Sequence, residues 1–483
     1  MSRRIVGPFN RVEGDLEIKL EIEDETVKSA WVNSPLYRGF ERILNGKDPR
    51  DALVYTPRIC GICSVSQSMA AAEALAEAQG LAAPANGRLM QNIILATENV
   101  ADHFTHFYLF FMPDFARPVY AGEPWFGDIA ARFKAVEGTA AREILPARAA
   151  FLHIMGRLAG HWPHTLGLQP GGTTHAIDRA EQARVLAIVA AFRRFLETRT
   201  FGDALERVIA LKSADELRDW ALRPGPAASD FGQFLRLAEA LSLDKLGRAT
   251  DRFLSYGAYR QDGGHLFKRG VHAGGKNAAL NVADISEDVG ASWYARSGGP
   301  RHPSCGITVP NADASDAYSW CKAPRLAGHV VEVGALARQL IDGHPLLRDL
   351  VKASGGNVAN RVIGRLIEIA RVVLAIEDWT RLIVPREAFY IDAEMPAEAE
   401  GAGLIEAARG SLGHWLTIRK GRIQNYQIVA PTTWNFSPRD SAGVPGACEQ
   451  ALAGAPVRAG EKDPVAVQHI VRSFDPCMVC TVH

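Results

Sequence analysis

The 483-residue chain has no net charge, because 54 Lys and Arg residues are balanced by 54 Asp and Glu. That balance excludes nucleic acid as an expected partner, since nothing offers the basic surface that a phosphate backbone attracts. Long apolar runs are missing too. No stretch approaches the roughly 18 apolar residues that a membrane crossing requires, so no membrane span is expected. The opening Met1-Ser2-Arg3-Arg4-Ile5-Val6-Gly7-Pro8-Phe9 has no export-type apolar region, which points to a cytoplasmic protein. Internal repeats and low-complexity linkers are also absent. Cysteine is scarce, with seven residues, and an odd number without an export leader argues against a disulfide framework. What remains, 47% hydrophobic and 22% charged, is the composition of a folded, soluble protein.

The pattern within that composition is partly strand-like. Leu16, Ile18, Leu20 and Ile22 face one way and Glu17, Lys19 and Glu21 the other. Glu23-Asp24-Glu25 then turns the chain before Val27, which predicts a β-hairpin. From Asp51 the texture is helical. Residues 67–79 are rich in helix formers and end at Gly80, and Asn86 to Met112 keeps helical spacing until Pro113. Further helical patterns cover 138–159, 176–198, 202–222, 229–242, 325–342 and 357–383. The Gly-rich segment 250–310 reads as loops with short strands. A second hairpin is predicted where Trp415–Arg419 and Arg422–Val429 flank Lys420-Gly421. The fold class is therefore mainly α with small β-hairpin elements. One body is expected over 1–483, with a hairpin region at 1–50, a helical core at 51–400 and a hairpin plus C-terminal segment at 401–483.

Cys305, Cys321 and Cys448 stand alone, but the other four cysteines form two C-x-x-C pairs, Cys60/Cys63 and Cys477/Cys480. This spacing on a turn sends two sulfurs to one side, as metal ligands or redox pairs do. Gly61 permits a tight turn before a helix, whose amides are expected to stabilise thiolates. The pairs share a site only if the fold brings the two ends of the chain together. A structural zinc site with four cysteines, in a scaffold protein, fits the spacing as well as nickel or iron does.

The flanking residues add more. Arg58-Ile59-Cys60-Gly61-Ile62-Cys63, with Asp475-Pro476-Cys477-Met478-Val479-Cys480-Thr481-Val482-His483, resembles the large subunit of nickel–iron hydrogenases. So do Arg11-Val12-Glu13-Gly14, Tyr37 to Glu41, Gly46 to Asp51 and Lys322 to Arg325. Glu332 to Gly334, Leu336 to Arg338, Arg409 to Trp415, Pro431 to Asn435 and Ser437 to Asp440 continue the match. The blocks run in order from residue 11 to 483 and cover essentially the whole chain.

The resemblance implies a helical hydrogenase fold whose terminal segments meet at a nickel–iron centre, and reversible heterolytic cleavage of dihydrogen. Cys60 and Cys477 match terminal nickel ligands, and Cys63 and Cys480 match bridges to an iron that carries carbon monoxide and cyanide. Glu13 matches the proton-relay carboxylate, exchanging protons with Cys477. Arg409 matches an arginine poised over the metals and held by Asp102 and Asp475, while Pro431 and Thr432 match contacts to the diatomic ligands. Glu41, the Ile428 carbonyl and His483 match a magnesium shell. Asp102, His103 and His106 on one helix imitate a metal cluster, but are expected to serve the core or to support the ligands. Seven cysteines are too few for iron–sulfur clusters as well, so a small subunit carrying those clusters is the implied partner.

Several residues depart from the family pattern. Gln67 stands where His is usual, and can hydrogen-bond but not titrate. Asp15 and Ala408 replace the usual His and Pro. Ile62 and Phe110 occupy positions resembling gas-channel sites, usually Val and Leu in energy-converting members, so a narrower channel favouring dihydrogen over dioxygen is expected. The sequence stops at His483, where precursors usually carry a removable extension, so a mature form or a gene without the extension is expected. Together these features resemble the dihydrogen-sensing, regulatory subgroup, which works at low turnover in the cytoplasm and signals to a histidine kinase. An energy-converting uptake hydrogenase is the alternative.

Overall fold

The structure is a computed structural model that describes residues 2–296 and 298–483. Its N-terminal sheet has three antiparallel strands, β1 (Ser2–Val6), β2 (Glu17–Glu23) and β3 (Thr26–Asn33), in the order β1-β2-β3. The predicted hairpin is β2–β3, turning at Asp24-Glu25, with Ile18, Leu20 and Ile22 buried. The short β1 was not foreseen, because Ser2-Arg3-Arg4-Ile5-Val6 alternates too weakly to read as a strand and gains its order by pairing with β2.

The principal helices are α1 (Ser64–Gln79), α2 (Ala85–Thr105), α3 (Thr139–Ala159), α4 (Arg179–Phe195), α5 (Val358–Leu382) and α6 (Val465–Phe474). Helix α5 packs on both α2 and α4, and one apolar core runs from Val6 to Cys480. No helix among the described residues is long and apolar enough to cross a membrane. The C-terminal sheet holds β4 (Ala399–Ala407), β5 (Gly410–Arg419) and β6 (Arg422–Val429). Its β5–β6 pair is the predicted second hairpin, and β4 is an added strand. Helix α1 lies directly on β4. A Cβ at Gly403 would stand 1.8 Å from the Ala70 carbonyl oxygen, so only glycine lets the helix come this close.

Two helical expectations are corrected. The run 202–222 is two helices, Leu205–Ile209 and Ala214–Ala221, because the Ser213 hydroxyl accepts the Glu216 N–H and starts a new helix. In 325–342 only Ala335–Asp342 is helical. Ala323–Leu326 instead pairs with Ile285–Asp288, and Ala327 and Gly328 follow with positive φ. The 86–112 run also changes character at His106, where α2 gives way to a wider π-helical turn, His106–Phe111.

A buried ion cluster clasps the chain ends. Asp114 binds Arg11 from the N-terminal segment and Arg472 from α6, the latter at 2.7 and 2.8 Å, with His469 at 3.3 Å. Arg472 also donates to the Asn10 carbonyl at 2.9 Å. Burial opposes ionisation of Asp114, but its cationic neighbours hold it well below the usual carboxylate range. Replacing Asp114 by Asn leaves the buried Arg472 guanidinium and the partly buried Arg11 without their counter-ion. A stability loss of about 3–5 kcal/mol is expected, measurable by denaturant unfolding of the subunit complex.

Candidate metal centre

The clasp delivers the two cysteine pairs to one point. Glu13 and Cys477 form a parallel bridge: the Met478 N–H donates to the Glu13 carbonyl at 2.7 Å, and the Glu13 N–H to the Pro476 carbonyl at 3.4 Å. Opposite them, the Cys60–Cys63 turn leads into α1. All four cysteines are buried, and their sulfurs lie within 4.8 Å of one another. The Cys63–Cys480 separation is 3.2 Å, Cys60–Cys477 3.4 Å and Cys477–Cys480 3.0 Å. Among the described residues this is the single group of three or more His, Cys, Asp or Glu side chains placed to hold one metal ion.

Hydrogen bonds from Cys477, Cys480 and Cys63 hold Cys60 well below the usual thiol range. The same crowding drives Cys63 well above it, through its bonds to Cys477, Cys480 and Cys60 and through burial. Burial does the same to Cys477. One thiol ionises readily and the next are opposed, as expected of a soft donor set whose negative charge a cation must offset. The donor set and its burial fit a metal centre.

The helix amides do not serve the thiolates as expected. The Val65 and Ser66 N–H groups at the start of α1 donate to Glu98, and the amide that does reach a sulfur is that of Cys63, toward Cys60.

Arg409 follows β4 at the edge of the C-terminal sheet and is buried. Its Nη2 reaches Asp102 at 3.1 Å and Asp475 at 3.2 Å, its Nη1 also binds Asp102, and its Nε donates to the Asp475 carbonyl at 2.8 Å. Both expected acids therefore hold it. Burial pushes Asp102 up to about 8, whereas Arg409, aided by His106 and Arg365, keeps Asp475 below the usual range against the same effect. Burial also opposes the charge on Arg409, but Asp102, Asp475 and the nearby sulfurs of Cys477 and Cys63 stabilise it.

Thr432 accepts the Cys477 N–H at 3.0 Å, and Pro431 begins the short helix Pro431–Asn435 beside it. Glu13 is half-buried. Burial and the charge of Cys60 raise its pKa, so its side chain answers to Cys60 while its main chain pairs with Cys477.

Gln67 has a partner that sequence reasoning missed. Tyr426 O–H lies 2.8 Å from His414 Nδ1, and His414 Nε2 lies 2.8 Å from Gln67 Oε1. Burial holds His414 down at about 3, hence neutral. With Nδ1 accepting from the tyrosine, Nε2 carries the proton and donates to Gln67. The Gln67 amide nitrogen is thereby turned toward Cys480 Sγ, 3.9 Å away.

Glu41, Ile428 and His483 also converge. His483 Nε2 lies 3.3 Å from Glu41, and the Ile428 N–H donates to Glu41 at 2.9 Å. Lys322, read only as part of a motif, sits among these groups, 2.9 Å from both Glu41 and Gln427. Against the opposing effect of burial, Lys322 and His483 hold Glu41 down at about 2. His103 and His106 stay out of the metal cluster and serve the core: His103 pairs with Glu368 at 3.1 Å and His106 with the Arg472 carbonyl at 2.6 Å. Ile62, on the cysteine turn, and Phe110, in the wide turn after α2, are both partly buried.

Comparison with known proteins gives this geometry a family. The model of nickel-dependent hydrogenases matches residues 38–124 and 142–483. The chain belongs to that family. Among hydrogenases it is 32% identical to the periplasmic [NiFeSe] hydrogenase large subunit of Desulfomicrobium baculatum, over 99% of this chain and 94% of that one. It is 29% identical to the hydrogenase-2 large chain of Escherichia coli, over 100% and 97%. It is 27% identical to the uptake hydrogenase large subunit of Azotobacter chroococcum, over 100% and 95%. The crystal structure of the reduced, active Desulfomicrobium baculatum Ni-Fe-Se hydrogenase superposes with a TM-score of 0.86 at 30% identity, covering both chains fully.

The fold is thus the hydrogenase large-subunit fold, and the four cysteines are its Ni–Fe ligand set. In this chain all four ligand positions are cysteine. None of these three hydrogenase relatives is named a sensor, so they support the hydrogenase expectation without its regulatory refinement.

Proposed function

We propose that the chain is the catalytic large subunit of an energy-converting nickel–iron hydrogenase, paired with a small subunit that carries iron–sulfur clusters. The observation that carries this reading is the buried, all-sulfur cluster, with the Arg409 guanidinium held by Asp102 and by Asp475 two residues before Cys477, in a chain similar along its whole length to enzymes named uptake and periplasmic hydrogenases. When bound, the nickel–iron centre, with carbon monoxide and cyanide on iron, supplies the redox chemistry of dihydrogen splitting.

The chain's residues do the rest. Cys60, Cys63, Cys477 and Cys480 would together hold the nickel–iron group through their thiolates. Pro431 and Thr432, beside Cys477, would contact the diatomic ligands on iron. The Glu13 carboxylate accepts and passes on the proton, its proton affinity raised by burial and by the charge of Cys60. Arg409, fixed by Asp102 and Asp475, keeps a positive charge beside the reacting gas. Glu41, His483 and Ile428 would hold a magnesium ion, with the Lys322 ammonium beside Glu41 as a neighbour and not a ligand. The test is dihydrogen oxidation by the purified subunit complex with an artificial electron acceptor. Sustained turnover supports the reading, and the absence of both turnover and dihydrogen–deuterium exchange contradicts it.

A second reading, the cytoplasmic dihydrogen sensor signalling to a histidine kinase, is favoured by Gln67 and by the bulk of Ile62 and Phe110. It calls for low turnover and cytoplasmic fractionation, whereas the uptake reading suits the periplasm. Its steric part has its own test. The double variant Ile62→Val, Phe110→Leu is expected to inactivate faster under dioxygen, followed by activity decay in gas mixtures; an unchanged rate removes the narrow-channel argument.

A further inference from the structure

Cys63 is the residue at which α1 begins. A side chain there ordinarily turns back to accept the N–H groups of the second and third helical residues. The Cys63 side chain makes no such bond. Those two amides, Val65 and Ser66, donate instead to the Oε2 and Oε1 atoms of Glu98, each at 2.8 Å. The Ser66 hydroxyl adds a bond at 2.9 Å and the Trp162 indole N–H another at 3.0 Å. Four donors thus fill the roughly four lone-pair positions of one buried carboxylate.

Glu98 comes from α2, one helical turn before Asp102, so the helix that holds Arg409 also holds the start of α1. The loop that brings Trp162 pins the other side of the cysteine turn. The His164 N–H donates to Ser64 Oγ at 3.2 Å, and His164 Nδ1 lies 3.0 Å from the Pro57 carbonyl.

We propose that Glu98 is a positioning residue for the metal site: it accepts the helix-start amides that Cys63 would otherwise take, and so leaves the Cys63 sulfur free for metal. The inference rests on the nickel–iron reading of the four-cysteine cluster. Without the Glu98 acceptor, the Val65 and Ser66 amides turn toward the Cys63 sulfur and withdraw electron density from it.

The test uses Glu98→Gln, which keeps the shape but presents an amide NH2 to donors, and Trp162→Phe, which removes one donor and leaves the carboxylate. In the metal-loaded subunit complex, the infrared bands of iron-bound carbon monoxide and cyanide are expected to shift upward in Glu98→Gln, and less in Trp162→Phe. In the metal-free complex, hydrogen exchange at Val65 and Ser66 is expected to quicken about 10- to 100-fold in Glu98→Gln, the loss of a charge-assisted bond. If Glu98→Gln fails to fold, Trp162→Phe decides by the same two readouts. Unmoved bands together with unchanged exchange overturn the proposal, as does a loss of metal and thermal stability with the remaining bands unmoved. Wild-type complex measured alongside separates the two failures. Missing bands there overturn the nickel–iron reading, while exchange in the metal-free complex still tests the cap.

Discussion

Cys480→Ser is expected to abolish dihydrogen activity and metal loading together. Cys480 is buried, with its sulfur 3.0 Å from Cys477 and 3.2 Å from Cys63, so it lies inside the cluster and not at its rim. A serine hydroxyl is a hard donor that keeps its proton at neutral pH, and cannot replace a soft thiolate toward nickel or iron. The main-chain bridge between Glu13 and Cys477 and the Asp114 clasp are untouched, so the chain still folds around the damaged site. Nickel and iron analysis of the purified complex, with a dihydrogen assay, checks this. Cys305→Ala is the control, because Cys305 is exposed and apart from the cluster, and it is expected to match wild type.

Glu13→Gln carries the second large effect, a fall in turnover of about 10²- to 10⁴-fold, the usual worth of a positioned proton acceptor. The structure makes this substitution clean. Glu13 ties the N-terminal segment to the C-terminal cysteine pair through its own N–H and carbonyl, so the clasp does not depend on the carboxylate. The variant keeps that main-chain bridge and loses only the titrating group. Metal content and infrared bands are expected to stay at wild-type values while turnover falls, and Glu13→Asp to recover part of the loss. Equal losses of metal and activity in Glu13→Gln would show a structural role instead.

The cysteine pairs were legible because two sulfurs at C-x-x-C spacing carry their chemistry with them. Their meeting across more than 400 residues was not legible from spacing, and came from motif resemblance, which the Glu13–Cys477 bridge now explains physically. The long helices were legible where apolar spacing ran unbroken, as in α2 and α5. The 202–222 pattern misled because helical periodicity continues through Ser213 while its hydroxyl starts a new helix. Glu98, His414 and Lys322 were missed for one reason. Each works through partners that are distant in the chain, such as Gln67, 347 residues from His414, and Glu41, 281 residues from Lys322, so no local pattern marks them.

Infrared spectroscopy of the purified large–small subunit complex decides the assignment of a nickel–iron centre to the four buried thiolates. Sharp bands from iron-bound carbon monoxide and cyanide are expected, and are lost in Cys480→Ser. A wild-type complex that carries zinc at the four cysteines and shows no such bands would contradict that assignment.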